Sequence, residues 1–427
     1  MKIMTMNKFL SHIILLCLIG IQSINAQKTA FIGGEIHVGN GVVISGGTLL
    51  INDGIIQDIL INPMQDQLMG YNLISVSDKR IYPGIIAPAT QIGLVEVESV
   101  SATVDFREVG SYNPNVRTLV AYNTDSRITP TLLSNGITTV QSSPKGGVIS
   151  GTSSIFKTTG WNWEDAVIKE DDGIFINWSE NYFLTGWWAG VQENKKNEKY
   201  ADFKNQLTDF ITLSKSYCEE KGSQQDLKHE AMCGLFNNTQ KAFVKVNGAY
   251  EIIDAVQTLQ KLDIQNMVIV GGRDAYQIVD FLKEKSVPII VQYVHNLPRQ
   301  RHDEVDINYK SPKILQDAGV LFCFGLEGAW EQRNLPFIAG TAAGFGLSEQ
   351  EALSAITHNA AKILGINEKV GTIEKGKIAN ILISKGDILD MKSSIVEKVF
   401  IEGKEIDIND HQKMNYQKYL EKYNIGN

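Results

Sequence analysis

The run Ile81-Tyr82-Pro83-Gly84-Ile85-Ile86-Ala87-Pro88-Ala89-Thr90-Gln91 constrains this chain more than any other stretch. Apolar residues broken by a Pro-Gly turn pass into small and polar ones, which predicts a buried strand whose carboxyl end opens onto a site. A strand with no polar face needs cover on both sides, the situation of parallel strands in α/β proteins. The rest of the chain therefore has to supply neighbouring strands and the helices that clothe them.

It does so in an ordered way. From Thr29 to Ile59, short apolar runs alternate with Gly33-Gly34, Asn40-Gly41, Gly46-Gly47 and Asp53-Gly54, which predicts an antiparallel meander of four strands. A second β-rich region, Val370 to Ile406, closes the chain, with Ile378–Ile383 and Ile395–Ile401 as its strands. A short meander needs a partner to bury its apolar face. Residues 27–82 and 366–406 are accordingly expected to form one small β-sandwich built from both termini, with 83–365 as a separate domain between them. Within that domain, strands at 242–247, 266–271, 287–291 and 320–325 alternate with helical patterns at 251–262 and 276–283, which argues for a closed barrel of parallel strands. The expected fold class is α/β, a (β/α)8 TIM-type barrel carrying the small sandwich. An insertion is expected near 185–241, where the composition turns polar, and residues 407–427 are expected to be a fraying polar tail. Ser348-Glu349-Gln350-Glu351 is a capping box that opens the last barrel helix, and Gly365 stops it.

Two sets of residues carry a family resemblance. The first is the Pro83-Gly84 strand. The second is the run Gly346-Leu347-Ser348, Thr357-His358-Asn359-Ala360-Ala361, Leu364-Gly365, Val370-Gly371-Thr372-Ile373 and Lys375-Gly376-Lys377-Ile378-Ala379-Asn380. Together they resemble the amidohydrolase superfamily, in its imidazolonepropionase-like branch; Asn380 departs from the aspartate usual there. The resemblance implies a hydrolase of non-peptide carbon–nitrogen bonds, in which one or two cations such as zinc lower the pKa of a bound water. It also implies where the metal ligands should stand, and there this chain departs from the pattern. The two strand-1 histidines fall on Ala89 and Gln91, and the aspartate of that motif falls on Ala87. The fifth-strand histidine falls on Lys245 or Asn247, the sixth on Gly271, and the eighth-strand aspartate on Glu327. Zinc sites draw three or four ligands from His, Asp, Glu and Cys, so no cofactor is expected. The leading expectation is a degenerate member that binds a small molecule or serves as a partner subunit, in a homo-oligomer or beside an active amidohydrolase. A second reading keeps hydrolysis, with Glu327 as general base, one divalent cation such as zinc, and His295 or His302 as replacement ligands. A third is a glycan- or peptide-binding protein that uses Trp161, Trp163, Trp178, Trp187 and Trp188.

The remaining features bound these readings. A net charge of −8 without a basic run argues against a nucleic-acid footprint. Residues 1–26 read as a secretory signal, with Lys2 and Lys8 before the apolar run Ile13–Ile21 and Ala26 at the end, which places the protein outside the inner membrane, in the periplasm, with no transmembrane segment after signal removal. Cys218 and Cys233 are candidates to pair in such a compartment, and Cys323 is expected in the core. His37 is expected at the surface.

Overall fold

The computed structural model describes residues 28–185, 193–220, 225–299 and 303–425. The signal segment expected at 1–26 therefore lies outside the described residues, as do His302, Trp187 and Trp188.

The first five strands, β1 (Lys28–His37), β2 (Val43–Asn52), β3 (Ile55–Ile61), β4 (Asn72–Ser75) and β5 (Arg80–Pro83), belong to one sheet. The antiparallel meander covers only β1 to β3, because β4 and β5 both lie parallel to β1. The chain then enters a second sheet of eight strands. Its members are β6 (Ile85–Thr90), β7 (Ile137–Ser142), β8 (Ile149–Lys157), β9 (Val167–Asn177), and, beyond the two-stranded ribbon β10 (Tyr182–Thr185) and β11 (Glu193–Lys196), β12 (Lys241–Val246), β13 (Met267–Gly271), β14 (Ile289–Val291) and β15 (Phe322–Phe324). The last strands, β16 (Ile381–Ser384), β17 (Val396–Ile401) and β18 (Lys404–Ile406), return to the first sheet through β16 on β5. Both termini thus share one eight-stranded sheet. It is strongly coiled: β1 and β17 lie three strands apart in hydrogen-bonding order, yet the Phe31 and Phe400 rings meet at 4.9 Å, where a flat sheet would hold them roughly 14 Å apart.

The opening stretch is therefore two strands. Ile81 to Pro83 pair within the terminal sheet, and Ile85 to Thr90 begin the barrel. Gly84 is the crossing point, where an added Cβ would lie 2.1 Å from Thr138 Oγ1. Asn380 holds this junction, its carbonyl accepting from Gly84 N–H at 2.8 Å and its Oδ1 from Glu402 N–H at 2.9 Å.

The barrel sheet is nearly closed, and it departs from an all-parallel (β/α)8 arrangement at one place. Strand β8 runs antiparallel to both β7 and β9. The reason is the length of its connections, residues 143–148 and 158–166, since a parallel neighbour needs a crossover of a dozen residues or more. The other ladders, from β9 through β15 and between β6 and β7, are parallel. Alternation sorts the side chains as a barrel requires: Ile86, Phe175, Phe243, Val268, Val270, Ile290 and Cys323 fill the interior, while Ala242, Val244, Val246 and Ile269 face the helical layer.

The last barrel helix forms in two pieces, Glu349–Ala355 and His358–Leu364, with the Ser348 and Glu351 capping box at the first and left-handed Gly365 ending the second. Ala360, Ile363 and Leu364 pack on the interior cluster. The ammoniums of Lys241 and Lys169 donate to the Ile363 and Leu364 carbonyls, where cations suit a helix C-terminus.

The polar tail, expected to fray, carries a helix. Residues His411–Tyr423 form a helix because Asp410 caps it, accepting from Lys413 N–H and, on its other oxygen, from Ser134 Oγ at 2.8 Å. Among the described residues no helix is long and apolar enough to cross a membrane.

Candidate functional site

Barrel strands present their carboxyl ends at one face, and chemistry on this fold gathers there. Ala89, Gln91, Lys245, Asn247, Gly271 and Glu327 stand at or just beyond the carboxyl ends of β6, β12, β13 and β15, on that face, but the structure joins them in an unexpected way. Alternation carries Lys241, Phe243 and Lys245 inward along β12, so the Lys245 ammonium emerges at the mouth. It meets the Glu327 carboxylate, on the loop after β15, at 2.8 Å. Lys145, on the loop after β7, reaches the same oxygen, Oε1, at 2.7 Å. Burial alone would push the Glu327 carboxyl upward; hydrogen bonds from Lys145 and Lys245 outweigh it and hold the pKa below the usual range. A general base works best with a pKa near the working pH, so this carboxylate is poorly placed for that task.

Beside the triad lies a cleft of about 330 Å³, lined among others by Lys145, Gly147, Trp178, Lys245, Asn247 and Glu251. Arg273 stacks over the Tyr293 ring at 4.1 Å, and burial raises the Tyr293 phenol. Arg299 grips Glu180 through both nitrogens, at 3.2 and 2.9 Å.

The other positions do structural work. Gln91 accepts Gly328 N–H on Oε1 at 2.7 Å, while its own N–H donates to Gly328 O at 3.3 Å. This reciprocal pair joins the end of β6 to the loop after β15, across the seam that no ladder closes. Ala89 is left-handed, at φ 54°, and β6 slips register on β7 between Ala87 and Thr90. Its N–H donates to Gln141 Oε1 at 3.0 Å. Gln141 Nε2 donates to Asp172 Oδ2 at 2.8 Å, and Ser153 Oγ to Asp172 Oδ1 at 2.7 Å. Asp172 is fully buried, and that burial raises its pKa to about 6 against these bonds. At Gly271, φ is 101° and an added Cβ would stand 2.5 Å from Asn247 Oδ1. The amide of Asn247 thus occupies the space a side chain at 271 would need.

These residues do not fit a divalent cation. Ala89 and Gly271 have no donor atom, the Gln91 oxygen is already engaged, and Lys245 brings a positive charge to the only carboxylate in the set. Among the described residues, no three His, Cys, Asp or Glu side chains gather as a metal-holding group. His295 bonds Thr341 Oγ1 at 2.7 Å, and burial lowers its pKa.

Several other expectations need correction. The tryptophans do not form one cluster: Trp161 is 91% exposed, Trp163 packs against the core, and buried Trp178 donates to Tyr200 OH at 3.0 Å. His37 is buried, stacked on Tyr82 at 4.4 Å and bonded to Glu35. The cysteines stand as expected: Cys323 is in the core, and Cys218 and Cys233 form a disulfide. The sequence reading missed Lys145 and Asp172. The available signal for Lys145 was its place directly before Gly146-Gly147 at a strand end; Asp172, last of the charged run Lys169-Glu170-Asp171-Asp172, offered none.

Comparison with known proteins agrees with the fold. The profile of the Amidohydrolase family matches residues 251–406. Imidazolonepropionase from Flavobacterium psychrophilum is 37% identical over 110 residues, which cover 23% of this chain and 27% of that protein. The same enzyme from Thermoplasma volcanium is 35% identical over 82 residues, covering 18% of this chain and 20% of that protein. The chain therefore spans about a quarter of the length of the curated relatives it matches. An amidohydrolase structure from Thermotoga maritima superposes with a TM-score of 0.78 over 89% of this chain and 99% of that one, at 24% identity, which speaks for the fold. Residues 251–406 thus match the amidohydrolase family, short segments at 37% and 35% identity are shared with imidazolonepropionases, and the barrel fold is that of an amidohydrolase structure.

Proposed function

We propose that this protein binds a small molecule at the barrel mouth without a catalytic metal, and has little or no activity toward the carbon–nitrogen bonds its relatives hydrolyse. The observation that carries this reading is the Lys145–Glu327–Lys245 triad. Two ammoniums stand around the single surviving carboxylate, and two like charges repel an incoming divalent cation. Without such an ion, no water at this face is acidified by the usual route.

The reading extends to a role as partner subunit, in a homo-oligomer or with an active amidohydrolase; the exposed Tyr416, Tyr419 and Tyr423 on the last helix support it. Export to the periplasm is part of the same proposal, supported by the basic start and apolar run of residues 1–26 and by the disulfide. The terminal sheet is read as a small β-sandwich, with the Phe31 and Phe400 contact as support.

Metal content after mild purification tests the central part. The expected result is well under one equivalent of zinc, manganese or iron, with no turnover of amide or ureide substrates on metal addition. Near-stoichiometric metal that disappears in Glu327→Ala overturns the proposal.

A further inference from the structure

We infer that the cleft takes a small anion, a carboxylate or a phosphate, on Lys145 and Lys245, and that Glu327 is an internal occupant which this anion displaces. The inference rests on the reading of the mouth as a metal-free binding site and names the chemistry of its ligand. Both ammoniums converge on Glu327 Oε1, at 2.7 and 2.8 Å, so the triad carries two positive charges against one negative. An ammonium has three N–H donors, and the shared carboxylate takes one from each lysine. Of the two other carboxylates in the lining, Glu180 is neutralised by the Arg299 clamp, and Glu251 keeps its charge but is turned to the Asn181 N–H, which it accepts on Oε1 at 2.9 Å.

The shape of the cleft agrees. Its volume of about 330 Å³ is at the small end of ligand sites. Gly146 and Gly147 bring backbone to its wall beside Lys145, with φ of 100° and 64°. A Cβ at 147 would lie 2.9 Å from Ser111 O and 3.0 Å from Gly110 O, so this close approach depends on glycine. Asn177 Nδ2 fixes the turn by donating to the Gly147 carbonyl at 2.9 Å. Glu327 itself is 42% exposed, on the loop after β15.

The test is calorimetric titration of the mature chain, at low salt, with inorganic phosphate and separately with succinate. Saturable binding of at least one is expected, weakened about tenfold or more in Lys145→Met and in Lys245→Met, since each removes a charge-assisted contact. Glu327→Gln is expected to tighten binding by about tenfold, because it neutralises the competitor. That gain cannot come from misfolding. Binding of neither anion to the wild type and to Glu327→Gln overturns the inference, and so does an affinity that Glu327→Gln leaves unchanged or lowers. Metal analysis of the same preparations keeps the two claims apart: a stoichiometric divalent ion contradicts the metal-free reading itself, whereas metal-free protein with no gain in Glu327→Gln contradicts only the displacement.

Discussion

Replacing Phe243 with alanine is expected to destabilise the protein by about 3–5 kcal/mol, the range for deleting a fully buried phenyl ring. Phe243 is fully buried in the barrel interior and stacks on Phe175 with centroids 4.9 Å apart. The ring also abuts Gly173, where an added Cβ would lie 2.5 Å from its Cε2. Phe175 and Gly173 both belong to β9, the strand paired with β12, so the vacated space cannot collapse without moving the sheet. Against a typical total of about 5–15 kcal/mol, the loss would be a large fraction. Urea unfolding should show a lower midpoint, while Trp161→Ala, at an exposed position, should stay within about 0.5 kcal/mol of wild type. A loss under about 1 kcal/mol for Phe243→Ala would contradict the packing described.

The second large effect is a pH dependence that belongs to Asp172. Burial raises its pKa to about 6 in the folded protein. A carboxyl whose pKa rises on folding holds its proton more tightly in the folded state. The stability it contributes is therefore fully present below its unfolded pKa and is lost as pH climbs through about 6, remaining absent above. A rise of roughly two pKa units corresponds to about 3 kcal/mol. Wild type should lose about that much between pH 4 and 7 relative to Asp172→Asn, whose amide does not titrate. Substitution also disturbs the bonds from Gln141 and Ser153, which adds an offset independent of pH. The diagnostic is the difference in slope between the two stability curves, and parallel curves would show that Asp172 does not titrate as described.

Much of the fold and half of the site were legible because they rest on local spacing. The Pro83-Gly84 strand and Glu327 beyond β15 stand where their sequence neighbours put them, and the Ser348 capping box needs only four consecutive residues. What escaped depends on chain closure. Lys145 meets Glu327 only because the barrel curls the end of β7 toward the loop after β15. Asp172 lies in Glu170-Asp171-Asp172-Gly173, which looks like a solvated turn. Asp171 is left-handed, at φ 43°, and pairs with Arg117, and this break in the strand turns Asp172 inward. His37 appeared exposed in a glycine-rich meander, but its stacking partner Tyr82 arrives from β5, a strand the meander does not contain. The antiparallel β8 was hidden for a related reason: its short connections were visible, but its two boundaries lay in the least patterned part of the chain.

In the proposed reading, side chains rather than a metal hold the barrel mouth. The most direct test of that reading is the thermal unfolding midpoint measured with excess EDTA and with excess zinc. A cation bound at 100 times its dissociation constant would add about 2.7 kcal/mol. The two midpoints are expected to coincide within about 1 °C, because the Gln91–Gly328 and Lys145–Glu327–Lys245 contacts need no ion. A midpoint several degrees higher in zinc, with the increase abolished by Glu327→Ala, would contradict that reading.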